Sequence, residues 1–203
     1  MARDFTDTWF FFGDSVTLGV NDNAVVGGWV SRLAMKGAAR GLYDLPPATF
    51  YNLGCRRHKI AQLGERLEAE YTARLMPGIR ARLALCAGTV DLLQGADPGE
   101  LAERLEPLLG LARSLAPTLF ICPPPLASED ARHRGAVYAA LASDLCGRMG
   151  VPCVDLTAEL LAEGFVETLL DGIHPDPAGN ELLAALLMER PEIITFLTPE
   201  DCR

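Results

Sequence analysis

Residues 8–15 read Thr8-Trp9-Phe10-Phe11-Phe12-Gly13-Asp14-Ser15, and this stretch decides the fold. Four aromatic side chains in succession, Trp9 to Phe12, leave no polar face. Successive side chains of a strand point to opposite sides, so a strand with this pattern is apolar on both. Such a strand belongs inside a parallel sheet that is covered by helices above and below. The run is too short for a membrane span or for the apolar part of a signal segment. Gly13 and Asp14 end it, and Ser15 begins the segment leading into a helix.

Four further apolar runs behave alike: Thr49–Leu53, Leu83–Ala87, Thr118–Cys122 and Val151–Asp155. Turn residues follow each run, and a longer stretch at helical period comes after them. The pattern predicts helices over Gly28–Gly41, Lys59–Leu75, Pro98–Leu115, Asp130–Met149 and Pro177–Arg190, with a shorter one near Ala158–Glu163. In the second, Ile60, Leu63, Leu67 and Tyr71 fall on one face; in the third, Leu101, Leu105, Leu108, Leu109 and Ala112 do so. Strands alternating with helices indicate βαβ units, hence an α/β protein with a five-stranded parallel sheet covered on both faces. No long linker, charge block or repeat interrupts the order. One domain over residues 1–203, with its core at about 8–190, is the reading that follows.

Composition narrows the function classes. The chain has 203 residues, 49% hydrophobic and 22% charged, which is ordinary for a globular domain of this size. A formal net charge of −9 argues against nucleic acid as a partner, since phosphate binding needs clustered Lys and Arg. The six cysteines form no C-x-x-C pair, and Cys86, Cys122 and Cys153 lie inside apolar runs. They are expected to be reduced core residues of a cytoplasmic protein, not a disulfide framework or a zinc site. No targeting segment is visible in residues 1–8. Leu182–Met188 is apolar but brief and bracketed by Glu181 and Glu189, so no membrane span is expected.

In open parallel sheets ligands bind beyond the carboxyl ends of the strands. At those ends stand Gly13-Asp14-Ser15, Asn52-Leu53-Gly54, Gly88-Thr89-Val90-Asp91 and Pro123-Pro124-Pro125, and ahead of the last predicted helix stands Asp171-Gly172-Ile173-His174-Pro175. A serine hydroxyl becomes a useful nucleophile when a base takes its proton, and imidazole suits that task near neutrality. The base works best when a third group holds its tautomer. Asp171 and His174, three residues apart in one turn, supply that pair to Ser15. Gly13 and Gly54 permit sharp turns that leave backbone N–H groups open to a developing oxyanion.

Gly13-Asp14-Ser15, Gly54, Gly88-Thr89-x-Asp91 and Asp171-x-x-His174 resemble, in order and rough spacing, the motif blocks of the SGNH (GDSL-type) hydrolase superfamily. Gly27-Gly28-Trp29-Val30 through Leu33 resembles the segment that follows the serine block in bacterial members. The resemblance implies a flavodoxin-like three-layer α/β/α fold. It also implies hydrolysis of carboxylic esters or thioesters by a Ser-His-Asp triad through an acyl-enzyme, with no metal or organic cofactor. Ser15 is then the nucleophile, His174 the base and Asp171 its orienting acid, with the N–H groups of Ser15 and Gly54 forming the oxyanion hole. A small-molecule ester or thioester is the implied partner. The absence of G-x-S-x-G speaks against the α/β-hydrolase nucleophile elbow.

One departure matters. The third block of the family reads Gly-x-Asn-Asp, the asparagine helping to bind the oxyanion, and here Val90 holds that position. Losing one such donor in another serine hydrolase slows turnover by about 10²–10³. Three outcomes stay open: the site tolerates the loss, Thr89 or Asn21 supplies the donor, or the protein binds a ligand without turning it over efficiently. The retention of Ser15, Asp171 and His174 favours the hydrolase.

Each residue also has a plainer role. Ser15 alone reads as a helix N-cap, Asp171 as a turn acid and His174 as a loop histidine. Asp14 is expected to brace the turn, and Asp91 is expected to be structural. Asp14, Thr89, Val90 and Arg57 are the candidates for contact with substrate. Arg56-Arg57-His58-Lys59, the one basic cluster, reads either as a solvated turn or as an attractor for an anionic substrate or leaving group, such as a phosphate-bearing thioester. The triple proline is expected to shape the cleft wall.

Overall fold

A computed structural model describes residues 6–199; residues 1–5 and 200–203, Cys202 among them, lie outside the described part. Strands β1 (Thr6–Gly13), β2 (Thr49–Gly54), β3 (Ile79–Cys86), β4 (Thr118–Ile121) and β5 (Cys153–Val154) form an all-parallel sheet in the order β2-β1-β3-β4-β5. In β1, Trp9 and Phe11 enter one apolar layer while Phe10 and Phe12 enter the other, all four buried. Burying a side chain of this size is worth roughly 1.5–3 kcal/mol, so this one strand anchors both layers.

The helices are α1 (Ser15–Leu18), α2 (Gly28–Ala39), α3 (Ile60–Thr72), α4 (Thr89–Leu93), α5 (Pro98–Leu115), α6 (Glu129–Met149), α7 (Thr157–Ala162), α8 (Pro177–Leu187) and α9 (Pro191–Leu197), with a 3-10 turn at Phe165–Thr168. Residues of α3, α5 and α6 cover the Phe10 and Phe12 face; those of α2, α7, α8 and α9 cover the Trp9 and Phe11 face. The result is the expected three-layer α/β/α arrangement. Helix starts follow local capping rules: Asp97 and Asp176 accept backbone N–H groups ahead of Pro98 and Pro177, and Ser128 caps α6.

Two differences from the sequence reading have physical causes. β3 begins at Ile79, ahead of the expected Leu83, because Arg80 and Arg82 interrupt its apolar run. Both guanidinium groups bond Asp7 on the neighbouring strand, at 2.7 and 3.1 Å, which lets charged residues enter a strand. α4 and α9 were not expected, being too short to display a helical period. α9 is tied to the sheet by Trp9 Nε1, which donates to the Phe196 carbonyl at 3.0 Å.

The five described cysteines are free thiols, with Cys86, Cys122 and Cys146 buried. Among the described residues no helix is long and apolar enough to cross a membrane. β1 connects to β2 on one side and is flanked by β3 on the other, so the strand order reverses at its carboxyl end. Ligand crevices form at such a switch point.

Candidate active site

Strand β1 runs out at Gly13, and the chain turns at once into α1. A Cβ at Gly13 would lie 2.0 Å from Thr17 Oγ1 and 2.7 Å from the Cys86 carbonyl, so the turn closes over β3 only without a side chain there. Asp14 caps α1, its Oδ1 accepting the Val16 amide at 2.9 Å. Its carboxyl group is buried, and burial pushes its pKa up against the opposing pull of the Thr89 hydroxyl, the Val16 amide and nearby His174. Thr89 Oγ1 lies close enough to exert that pull, yet neither it nor Asp14 Oδ2 completes a hydrogen bond. Asp14 therefore braces the turn that carries Ser15. Ser15 occupies the first helical position, where a backbone N–H has no intrahelical acceptor.

His174 comes from the loop between the 3-10 turn and α8. Leu170 donates to the His174 carbonyl at 3.2 Å, and Ala127 donates to the Gly172 carbonyl at 3.1 Å. The loop brings Asp171 back beneath its own histidine. His174 Nε2 lies 2.8 Å from Ser15 Oγ, and Nδ1 lies 2.7 Å from Asp171 Oδ2. The other carboxylate oxygen accepts the amides of Ile173 and His174 at 3.1 and 2.8 Å. Partial burial, the largest influence, raises the Asp171 pKa, but the hydrogen bonds from His174 and these two amides outweigh it and hold it at about 2. Asp171 is thus ionised at neutral pH and fixes the proton on Nδ1. That leaves Nε2 to accept the Ser15 hydroxyl proton.

Ser15 and His174 open onto a cleft of about 420 Å³. Its walls include Thr89, Val90, Leu93 and Gln94 from the β3 end and Arg56 and Arg57 from the loop after β2. Val90 is buried to within 8% of its surface and adds only methyl groups. A larger cleft, about 490 Å³, lies at the opposite end of the sheet between residues such as Arg82, Pro152 and Phe196. No histidine or cysteine lines it.

The sequence matches the GDSL-like lipase/acylhydrolase family over residues 11–182. This chain belongs to that family. No curated protein sequence matches it. Among solved structures, the acetylxylan esterase Axe2 from Geobacillus stearothermophilus is similar with a TM-score of 0.74 and 17% identity, over 95% of this chain and 96% of that one. A member of the lipolytic protein G-D-S-L family from Veillonella parvula DSM 2008 gives 0.71 and 20%, over 90% and 97%. LAE5, an alpha/beta hydrolase enzyme from the metagenome of Lake Arreo in Spain, gives 0.73 and 20%, over 98% and 100%. At these identities the likeness establishes the SGNH hydrolase fold.

The structure brings Ser15, Asp171 and His174 of this GDSL-like hydrolase together and places Thr89, Val90 and Arg57 around them. Gly54 requires a correction. Its amide was expected to stand open, but it donates to Asn52 Oδ1 at 3.0 Å. A glycine is needed there for close packing: a Cβ would lie 2.2 Å from the Leu18 nitrogen and 2.8 Å from the Asp14 carbonyl. The triple proline is corrected too. Pro123–Pro125 border a separate small cavity with Leu92 and Ala131, not the Ser15 cleft. Of the two substitute donors, Thr89 lines the cleft and Asn21 does not. Asp91 is structural, its Oδ2 capping α3 through the Ile60 amide at 3.1 Å.

Three supporting residues escaped the sequence reading. Asn52 Nδ2 donates to the Thr17 and Gly27 carbonyls, at 2.8 and 3.1 Å, latching β2 to the Ser15 turn. Arg66 donates to the carbonyls of Gly13 and Leu53, at 3.0 and 2.8 Å, clamping the ends of β1 and β2. Asn180, fully buried, accepts the Trp29 amide at 3.0 Å and donates to the Pro175 carbonyl at 2.8 Å, joining the His174 loop to α2. Asn180 alone left a signal, as a polar residue on the apolar face of its helix. Arg66 resembles any surface arginine until the fold folds it under.

Proposed function

We propose that this protein is a serine esterase or thioesterase that works through an acyl-enzyme. The observation that carries the reading is the unbroken chain from Ser15 Oγ to His174 Nε2, 2.8 Å, and from His174 Nδ1 to Asp171 Oδ2, 2.7 Å. As Ser15 attacks the acyl carbon, its proton passes to Nε2 and the imidazolium is stabilised by ionised Asp171. The Ser15 amide donates to the tetrahedral oxyanion. His174 then protonates the leaving alcohol or thiol, and water activated by the same nitrogen releases the acid. The substrate is a small ester or thioester that fits the 420 Å³ cleft.

A weakly catalytic or purely ligand-binding role is the second reading. It is favoured by Val90 in the cleft wall and by the Gly54 amide already held by Asn52. Both leave the oxyanion with fewer donors than a fully equipped site. The test is hydrolysis of p-nitrophenyl acetate, butyrate and octanoate, together with acetylated xylo-oligosaccharides, the last because Axe2 is an acetylxylan esterase. The hydrolase reading expects turnover that falls by about 10³-fold or more in Ser15→Ala, and fluorophosphonate labelling confined to Ser15. Equal inactivity of the two proteins with no labelling would overturn the hydrolase reading.

A further inference from the structure

Resting on the hydrolase reading, we propose that the substrate is an anionic ester, carrying a carboxylate or phosphate group that Arg56 and Arg57 bind beside the scissile bond. Both arginines are exposed, and both line the same cleft as Ser15 and His174. Neither guanidinium group has a hydrogen-bond or ion-pair partner among the described residues. That state is unusual here. Apart from Arg113, far away at the other end of the sheet, every other described arginine bonds a carboxylate or a carbonyl. With 27 acidic residues against 18 basic ones, the chain offers acids readily, yet none reaches these two.

The wall of the cleft contains no acidic side chain. The carboxylates nearest the reacting serine are already committed: Asp171 to His174, and Asp14 to the Val16 amide beneath the turn. Arg56 and Arg57 therefore place two positive charges without a paired carboxylate at the mouth, on a protein whose overall charge repels anions. A guanidinium group offers a planar fork of donors matched to carboxylate and phosphate oxygens. The backbone holds this arrangement up to the cleft. Arg57 has φ of 65°, in the left-handed region, and Cys55 just before it is tied to β1 by its amide donating to the Gly13 carbonyl at 3.1 Å. An arginine accepting that conformation, where glycine would sit without strain, presents its side chain at the mouth.

The test compares anionic with neutral esters, each rate corrected for the ester's uncatalysed hydrolysis. On the acyl side, mono-4-nitrophenyl glutarate is set against 4-nitrophenyl pentanoate. On the alcohol side, 4-acetoxybenzoate and 4-acetoxyphenyl phosphate are set against 4-acetoxybenzamide. The expected result is a kcat/KM ratio of about 10-fold in favour of the anion in at least one pair, falling to about 2-fold in 0.5 M NaCl because exposed charges are screened. Arg57→Gln and, should that variant fold poorly, Arg56→Gln lower the ratio through KM, whereas Arg113→Gln leaves it unchanged. The carboxylate and phosphate arms distinguish the two anion sources.

A ratio near one in every pair, insensitive to salt and to both variants, overturns the proposal while leaving the hydrolase reading intact. If no ester is turned over, binding of glutarate and of phenyl phosphate to the protein is measured by calorimetry. Salt-sensitive binding that weakens about 5-fold or more in Arg57→Gln supports the anion site without the hydrolase. Absence of such binding sinks it.

Discussion

The two walls of the cleft are built on opposite principles. On the His174 side the key polar groups are engaged: Ser15 to His174, His174 to Asp171, Asp171 to two amides, and the loop itself to α2 through Asn180. Elsewhere on the wall, Val90 and Leu93 are apolar, and the guanidinium groups of Arg56 and Arg57 are unpaired among the described residues. A wall whose donors and acceptors satisfy one another is rigid and preorganised for one proton path. A wall with open groups has them free for a ligand. Under the proposed function, the chemistry is prepared by the protein's own hydrogen bonds on one side, while recognition is left for the substrate to complete on the other.

The sharpest way to break the first wall is Asp171→Asn. The amide would offer Nδ1 an ambiguous partner and would not stabilise the imidazolium. Because the Asp171 side chain is 48% exposed, the loss in kcat is expected at about 10²–10³, below the roughly 10⁴ known for a buried aspartate in this role. Stopped or steady-state assays with a p-nitrophenyl ester measure it. A loss under 5-fold would mean that His174 needs no orienting partner.

The second wall is probed in the opposite direction. Val90→Asn adds a side-chain donor where only methyl groups now line the cleft, and kcat is expected to rise by about 10-fold. That is less than the 10²–10³ an optimised donor commands, since the surrounding groups did not grow around it. An unchanged or lower kcat would mean that Thr89 or another group already serves the oxyanion, or that position 90 points away from it.

The smallest effect concerns stability and pH. The Asp171 pKa is about 2 in the folded protein, against 3.8 as the ordinary value. Because the folded-state value is depressed, the ionised group contributes stability above about pH 4. That contribution is lost as pH falls toward 2, where the unfolded chain has taken up its proton first. The Tm advantage of the native protein over Asp171→Asn is therefore expected to shrink between pH 5 and pH 2. A constant difference would mean that the hydrogen bonds to Asp171 contribute nothing through its charge.

Much of the site was legible because its parts are short-range. Asp171 and His174 sit within one turn, and Ser15 follows directly on the most diagnostic strand, so residue type and spacing sufficed. The misread parts depend on contacts across the chain. Whether the Gly54 amide is open depends on the rotamer of Asn52, two residues away but directed by carbonyls at 17 and 27. Whether the triple proline faces the cleft depends on how α4 and α6 close over it. β3 was clipped because its arginines look like a turn until Asp7 on β1 receives them.

By itself the sequence determined the layer order, since Trp9 to Phe12 can be buried on both sides only within a covered parallel sheet. It also picked out Ser15, Asp171 and His174 as one candidate constellation, because each stands at a turn whose local hydrogen bonds hold it in place. Only the tertiary structure decided which backbone amides remain free and which charges remain unpaired. Those properties belong to no residue alone: a donor is open or engaged according to what the folded chain brings against it. Around Ser15 the fold leaves the guanidinium groups of Arg56 and Arg57 unpaired among the described residues, with the methyl groups of Val90 in the same cleft wall.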